Sequence, residues 1–130
     1  MKKKFILILL LFASFTSGIE AQTIESFVDK FNKNLKVKFP NSRTSFEEST
    51  VNLHISTKDI AKFNNMTNAK DLDLLLEDDK LKNDFSTAFL NSFVQSMGDL
   101  SNIKATGVSA FKIYFIKVNN DEVYGAITKI

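Results

Sequence analysis

His54 is the only histidine in the chain, which makes it the first residue to consider for catalysis or metal binding. It stands between Leu53 and Ile55 in an alternating run, so in a strand its side chain points away from the face that they bury. A single histidine excludes a two-histidine metal site. A Ser-His-Asp triad would have to use it, and the chain has no Gly-x-Ser-x-Gly turn to present a nucleophile. We predict no catalytic residue and no metal ligand. The alternative is a hydrolase-type enzyme that combines His54 with a carboxylate brought close by folding.

An acidic cluster between positions 71 and 79 is the other group that could attract a cation. Calcium loops place oxygen ligands at alternate positions and need a glycine at the sharp turn. Here leucines interrupt the acids, and no glycine occurs between Asp71 and Asp84. We interpret the acids as favourable charges at helix N-termini. The cluster consists of Asp71, Asp73, Glu77, Asp78 and Asp79.

Several other chemistries are excluded by composition. The chain has no cysteine, which excludes thiol catalysis, thiolate metal sites and disulfides. After residue 21 the glycines are Gly98, Gly107 and Gly125, which are too scattered to form a phosphate-binding glycine loop. Tryptophan is also absent, and nothing suggests an aromatic platform for a sugar. We therefore predict no cofactor.

The N-terminal segment has the layout of a secretory signal peptide. Three lysines follow Met1, an apolar run extends from Phe5 to Phe12, and small and polar residues lead to Ala21. The apolar run is shorter than the roughly 20 residues that span a membrane. We predict cleavage after Ala21, no stable membrane anchor, and an exported, soluble protein that is periplasmic or extracellular. Residues 22–130 would then form a single domain.

The charge balance gives no support for a nucleic-acid partner. The 17 lysines and arginines exceed the 15 acidic residues by two. Loss of the three leader lysines together with Glu20 would leave equal numbers of each sign. We therefore predict no binding to nucleic acid.

Apolar residues at spacings of three and four predict two longer helices. The first is capped by Thr23 and ends near Asn34, unless it continues through the stretch from Leu35 to Phe39, which also alternates as a strand would. Between the two longer helices, Ser56 and Asn68 each precede an aspartate by three residues and start short helices. The second long helix has an aromatic core stripe and a glycine cap: Phe85, Phe89, Phe93, Met97 and Gly98.

Strand patterns surround these helices. One strand is predicted from near Phe46 to Ile55, and from Ile103 the pattern changes to strands. Val108 to Val118 and Glu122 to Ile130 flank a turn at Asn119 and Asn120, which predicts a C-terminal β-hairpin. The predicted fold class is α+β, with helices packed on an antiparallel sheet of three to five strands.

The predicted hairpin is apolar on both faces. In a two-residue turn, Lys117 faces Glu122 and Gly125 faces Tyr114. One face then carries Phe111, Ile113, Phe115, Tyr124 and Ala126. The other carries Ala110, Tyr114, Ile116, Val118, Val123 and Ile127. A sheet with one wet face alternates between apolar and polar residues, so we expect both faces to be covered.

Three coverings fit this pattern. Helices of the same chain could cover both faces, a protein partner or second copy could bury the second face, or that face could line a pocket for a small apolar ligand. The pocket would lie between the Phe-rich helix and the sheet, bounded by Phe85 and Tyr114 among others. The candidate ligand or interface residues are Tyr114, Ile116, Val118, Val123, Ile127, Phe89 and Phe93.

The function predicted from the sequence is a small exported, non-enzymatic binding or protein-interaction module. Its simplest forms are a homodimer and an apolar-ligand binder. Besides the hydrolase that uses His54, an inhibitor or immunity-type protein is an alternative, since blocking another exported protein needs no catalytic residue. Acidic clusters could supply the charge complementarity that such a partner uses.

Overall fold

A computed structural model describes residues 24–65, 68–96 and 100–130 of the chain. The predicted leader and its cleavage site, the cap at Thr23 and the helix end at Met97 and Gly98 lie outside the described residues. None of the described helices is both long enough and apolar enough to cross a membrane. In chain order the elements are α1 (Ile24–Lys38), β1 (Arg43–Glu47), β2 (Thr50–Ser56), α2 (Thr57–Phe63), α3 (Lys70–Leu75), α4 (Asp79–Ser96), α5 (Leu100–Ala105), β3 (Ala110–Ile116) and β4 (Glu122–Lys129).

The strands form one sheet in the order β1-β2-β3-β4. The β1–β2 and β3–β4 pairs are antiparallel, whereas β2 and β3 run parallel. The predicted α+β class and the C-terminal hairpin are confirmed. The sheet is mostly antiparallel, as predicted, and its central pair is parallel because the helical segment between β2 and β3 returns the chain to the end of the sheet where β2 began.

The β1–β2 hairpin is absent from the sequence prediction, which placed Phe46 in the same strand as Ile55. Glu48 and Ser49 have φ angles of 49° and 67°, and they connect Glu47 to Thr50, which pair with each other. Two consecutive positive φ values are the property of a type I′ hairpin turn. The turn lacks the Asn-Gly sequence typical of this turn type, which explains why the pattern did not predict it.

The helices settle one open alternative and differ from the predictions at two points. α1 continues through Leu35, which is fully buried, so no strand forms there. α2 begins after Ser56, whose hydroxyl oxygen accepts a hydrogen bond from the backbone N–H of Lys58 at 3.2 Å, as predicted. Asp59 does not complete a capping box, because its carboxylate binds the loop before β1 instead. The residue at which we expected strands to begin, Ile103, is fully buried within α5.

The core lies between the sheet and one helical layer. The Phe93 ring contacts Phe31 of α1 at 5.1 Å between centroids and Phe111 of β3 at 5.7 Å. Phe85 and Phe89 both contact the ring of Phe115. These contacts place α1 and α4 on the same face of the sheet and confirm the aromatic stripe as core.

The β3–β4 pairing contains a bulge at Gly125. Tyr114 pairs with Tyr124, and Ile113 pairs with Ala126, so Gly125 has no partner residue on β3. A Cβ atom on Gly125 would lie 2.7 Å from Oγ of Ser86 in α4. Glycine is therefore needed here because the helix approaches the strand closely.

The bulge makes the predicted register wrong between Tyr114 and the turn. Lys117 does not face Glu122; its ammonium lies 3.6 Å from the carboxylate of Glu77. Tyr124 shares a face with Tyr114 rather than with Phe115. Val123 pairs with Phe115 and so belongs to the core face. An extra residue in one strand reverses the facing of every residue beyond it.

Candidate functional site

We call the sheet surface opposite α1 and α4 the open face. Strand pairing and the alternation of side chains assign residues of all four strands to it. Tyr124 and Ile127, at its β4 side, are each 45% exposed. The side chains on the open face include Arg43, Ser45, His54, Lys112, Tyr114, Glu122, Tyr124, Ile127 and Lys129.

Four of these side chains form a hydrogen-bonded polar network: Ser45, His54, Glu122 and Arg43. Nε2 of His54 lies 3.1 Å from the hydroxyl oxygen of Ser45, and Nδ1 lies 2.9 Å from Oε1 of Glu122. The other oxygen of Glu122 accepts a hydrogen bond from Nη2 of Arg43 at 3.1 Å. The network links β1, β2 and β4, so residues far apart in sequence fix one another in position.

Sheet topology brings these residues together. Arg43 pairs with His54 across β1 and β2, and His54 pairs with Tyr114 across β2 and β3. Glu122 of β4 pairs with Ile116 of β3, and its side chain extends across β3 to the imidazole of His54. The parallel β2–β3 pair is thus the contact that connects the two hairpins into one surface.

Aromatic rings support the network on its β3 and β4 side. The imidazole of His54 stacks on the Tyr114 ring, with centroids 5.2 Å apart and planes 9° from parallel. Tyr114 in turn meets Tyr124 edge to face at 5.8 Å. The ammonium of Lys112 lies 5.9 Å from the Tyr114 centroid and 6.0 Å from that of Tyr124, at the outer range of cation–π attraction.

The ionisation of the Glu122 carboxyl group is shifted by its surroundings. Partial burial acts to raise the pKa of its carboxyl group. The hydrogen bonds and positive charges of His54 and Arg43 act in the opposite direction and outweigh burial, so the pKa of Glu122 lies below its ordinary value. The carboxylate therefore stays ionised well into mildly acidic solution.

The order hydroxyl, imidazole, carboxylate resembles the order of groups in a serine hydrolase. In the tautomer that carries its proton on Nδ1, His54 donates to Glu122 and accepts the Ser45 hydroxyl proton at Nε2. Ser45 itself lies within the extended strand β1 rather than on a strained turn. The same groups can also act as a preordered set of donors and acceptors for a bound partner.

The predicted candidate residues divide between the two faces. Tyr114 and Ile116 are half-buried on the open face, and Ile127 is exposed there. Val118 is half-buried just beyond β3, where its backbone N–H donates to Oδ2 of Asp73 at 3.1 Å. Val123 lies on the core face.

Phe89 and Phe93 are also separated from the open face. They are 2% and 1% exposed within the core, whereas Tyr114 lies on the opposite side of the sheet. The helix rings and the tyrosine therefore do not line a common pocket.

Two members of the acidic cluster accept hydrogen bonds from other residues of the fold. Asp73 accepts a hydrogen bond from the Thr57 hydroxyl at 2.8 Å, and Asp78 accepts from the backbone N–H groups of Lys80 and Leu81 at the start of α4. In the three described ranges, no group of three or more histidine and acidic residues is placed to hold a metal ion.

Sequence reasoning missed Arg43, Ser45 and Lys112 as site residues, and it assigned Glu122 to a pair with Lys117. Arg43 and Ser45 lie on the unpredicted strand β1. Their alternation with Thr44 and Phe46 was the available signal, but the short strand ends at a turn without glycine or asparagine.

Comparisons with known proteins return no relative for this chain. No protein-family model matches it, and neither a curated protein nor a solved structure does.

Proposed function

We propose that this protein is an exported, non-enzymatic module that binds a protein partner through the open face of its sheet. The observation that carries the proposal is the pair of exposed apolar side chains, Tyr124 and Ile127, beside the hydrogen-bonded polar network. Protein interfaces commonly combine an apolar centre with polar groups around it. Export rests on the leader-like N-terminal sequence.

The composition of the open face favours a protein over other ligands. Tyrosine and arginine dominate the energetics of protein interfaces, and both occur here beside an imidazole. Arg43 is hydrogen-bonded to Glu122, and Lys112 lies beside the two tyrosine rings, so both signs of charge share the face. This suits a partner of mixed charge better than a nucleic-acid backbone. A small apolar ligand needs a concave pocket that buries most of its surface, and the phenylalanines that could have lined one fill the core.

Preordering of the face would strengthen binding. The Arg43 guanidinium is held by Glu122, and His54 is held by the stacked Tyr114 ring as well as by two hydrogen bonds. A partner would therefore find these side chains already close to one conformation, which lowers the entropy lost on association.

Site-specific photocrosslinking in the native host tests this proposal. We would place a benzoyl-phenylalanine at position 124 of the open face and, as a matched control, at Val37, which is 80% exposed on α1. The proposal predicts, from position 124, a discrete adduct with one protein of different sequence, separate in mass from a dimer of this chain, and no such adduct from position 37. Identical adducts from both positions, or none from position 124, would contradict it.

A second candidate function is acyl-ester hydrolysis, which the Ser45–His54–Glu122 hydrogen bonds specifically favour. In this reaction Oγ of Ser45 attacks the ester carbonyl carbon while its proton passes to Nε2 of His54. The imidazolium returns that proton to the leaving alcohol, and water then hydrolyses the acyl-serine. Glu122 would hold the imidazole in the required tautomer.

The hydrolase candidate is tested with a p-nitrophenyl ester and a fluorophosphonate probe. It predicts ester turnover above buffer that Ser45→Ala and His54→Ala both abolish, and a probe adduct located on Ser45 by peptide mass spectrometry. Ser49, which is half-buried in the β1–β2 turn, makes no such contact with His54, so Ser49→Ala is the matched control. Wild-type turnover at the level of buffer, or unchanged turnover in Ser45→Ala, would reject this candidate.

A further inference from the structure

The two edges of the sheet differ in how they are protected. At the β1 edge, the side-chain oxygen of Asn32 in α1 accepts a hydrogen bond from the backbone N–H of Thr44 at 3.0 Å. At the other edge, no strand of the described residues pairs with the outer side of β4. An unpaired strand edge is a template for pairing with another chain.

The hydrogen bonds between β4 and β3 identify the residues of β4 whose backbone groups face the unpaired edge. The backbone N–H of Ile130 points inward to the Ser109 carbonyl at 2.9 Å, so by alternation Lys129 and Ile127 direct their backbone groups outward. At the other end, the Asp121 carbonyl points inward to the N–H of Lys117 at 2.8 Å. Glu122 and Tyr124 therefore also direct their backbone groups outward.

Antiparallel pairing of this edge with its own copy is self-complementary. With the two-fold axis between Gly125 and Ala126, Glu122 of each chain faces Lys129 of the other. Tyr124 of each chain likewise faces Ile127 of the other. All four side chains lie on the open face. We infer that two copies of the chain associate through β4 and form one continuous sheet, in which each hydrogen-bonded pair of residues joins opposite charges or exposed apolar groups.

This register is favoured over its neighbours. A shift of two residues in one direction places Glu122 opposite Ile127, and a shift in the other direction places Tyr124 opposite Lys129. Both shifts remove the pairs of opposite charge and place an apolar side chain opposite a charged one. In the proposed register, Gly125 of each chain also lies opposite Ala126 of the other, so that the two bulges meet at the axis.

The helical layer can accommodate this pairing. α4 straddles β3 and β4, since Phe89 contacts Phe115 while the Asn91 side-chain oxygen accepts a hydrogen bond from the Thr128 hydroxyl at 3.0 Å. Thr87 and Gln95, which lie one turn to either side of Asn91, are exposed and uncharged. Two copies of α4 would therefore meet across the axis without like charges at the centre.

The association does not depend on the proposed partner, because the two copies pair through the backbone edge of β4, whereas the partner contacts side chains of the open face. It would join the two open faces side by side, so that Tyr124 and Ile127 of both copies form one apolar patch on the joined face. A heterologous partner on the face would then contact both copies.

A charge-swap experiment tests the pairing. Lys129→Glu places two glutamates opposite each other at both ends of the strand pair, and Glu122→Lys places two lysines there. Each variant alone should dissociate about tenfold more readily than the wild type, as measured by native mass spectrometry and light scattering over a concentration series. An equimolar mixture of the two variants should form a heterodimer, because every pair is again of opposite charge.

Lys104→Glu is the matched control, because it makes the same charge change at an exposed position on α5. It should leave the dissociation constant unchanged, and circular dichroism should give folded spectra for all variants. A monomeric wild type at high concentration would overturn the inference. Equal weakening by Lys104→Glu and Lys129→Glu, or failure of the mixed variants to associate, would overturn it too.

Discussion

His54 and Glu122 are separated by 68 residues in sequence, yet Nδ1 of the imidazole lies 2.9 Å from Oε1 of the carboxylate. The contact spans two strand boundaries, from β2 across β3 to β4. It exists because the parallel β2–β3 pair aligns two hairpins that each fold locally. The central polar contact of the open face is therefore a product of the topology rather than of any local motif.

The ionisation of Glu122 should make stability depend on pH in a defined direction. Since the pKa of Glu122 is lower in the folded state than in the unfolded chain, its ionised contacts stabilise the fold above the ordinary glutamate pKa of about 4.3. That contribution is lost as the pH falls through the lowered value. Urea unfolding should give a difference between wild type and Glu122→Gln that is full at pH 6 and shrinks below about pH 4. A difference that grows toward acid would contradict the assignment.

His54 should contribute to stability through its ring as well as through its hydrogen bonds. We expect His54→Ala to lower the free energy of unfolding by about 1 kcal/mol, because it removes a stacked ring and two partly exposed hydrogen bonds. His54→Phe keeps an aromatic ring for Tyr114 and should recover part of that loss. Equal losses in the two variants would mean that the stacking contributes nothing.

Gly125 should be intolerant of a side chain for a steric reason. An added Cβ would lie 2.7 Å from Oγ of Ser86 and 3.0 Å from Cε2 of Phe115. Gly125→Ala is expected to destabilise the fold by about 1–3 kcal/mol, as overpacking does. The measurement is chemical denaturation.

The Ser86→Ala background separates this clash from other effects. Oγ of Ser86 is buried and has no hydrogen-bond partner among the described residues, so its removal alone should cost little stability. If the clash is the cause, Gly125→Ala should cost less in this background than in the wild type. Equal costs would place the origin of the effect elsewhere.

Residues that favour positive φ in the β1–β2 turn should raise the stability of the fold. Glu48 and Ser49 both have left-handed backbones, which cost non-glycine residues roughly 1 kcal/mol each. The double substitution E48N/S49G supplies the preferred type I′ sequence and should raise the free energy of unfolding by about 1 kcal/mol. The reverse order, E48G/S49N, is the composition-matched control and should give a smaller gain. Loss of stability in E48N/S49G would contradict the turn geometry.

The sequence predicted those parts of the fold that depend on local periodicity. The four-residue spacing of Phe85, Phe89 and Phe93 was sufficient to identify a buried helix face, and the capping hydroxyl of Ser56 marked the start of α2. Features that depend on the backbone conformation of one or two residues were not predicted. The turn at Glu48 and Ser49 has no glycine, so β1 was merged with β2.

The candidate site was less predictable than the fold for the same reason. Alternation correctly directed His54 away from the core, but its partner carboxylate could only be identified once the strand order was known. The unpaired Gly125 moved Tyr124 onto the open face and Val123 onto the core face. A bulge of one residue changes no composition or spacing signal, yet it exchanges the exposed and buried members of the strand.

Binding measured on a purified partner is the most direct test of the central claim that the open face is an interaction surface. The protein captured at position 124 would be purified and titrated by calorimetry against the wild type, Tyr124→Ala and Val37→Ala. Tyr124→Ala should raise the dissociation constant about tenfold or more, as removal of a tyrosine that anchors an interface does, and Val37→Ala should leave it unchanged. Equal affinity of all three proteins would contradict the claim.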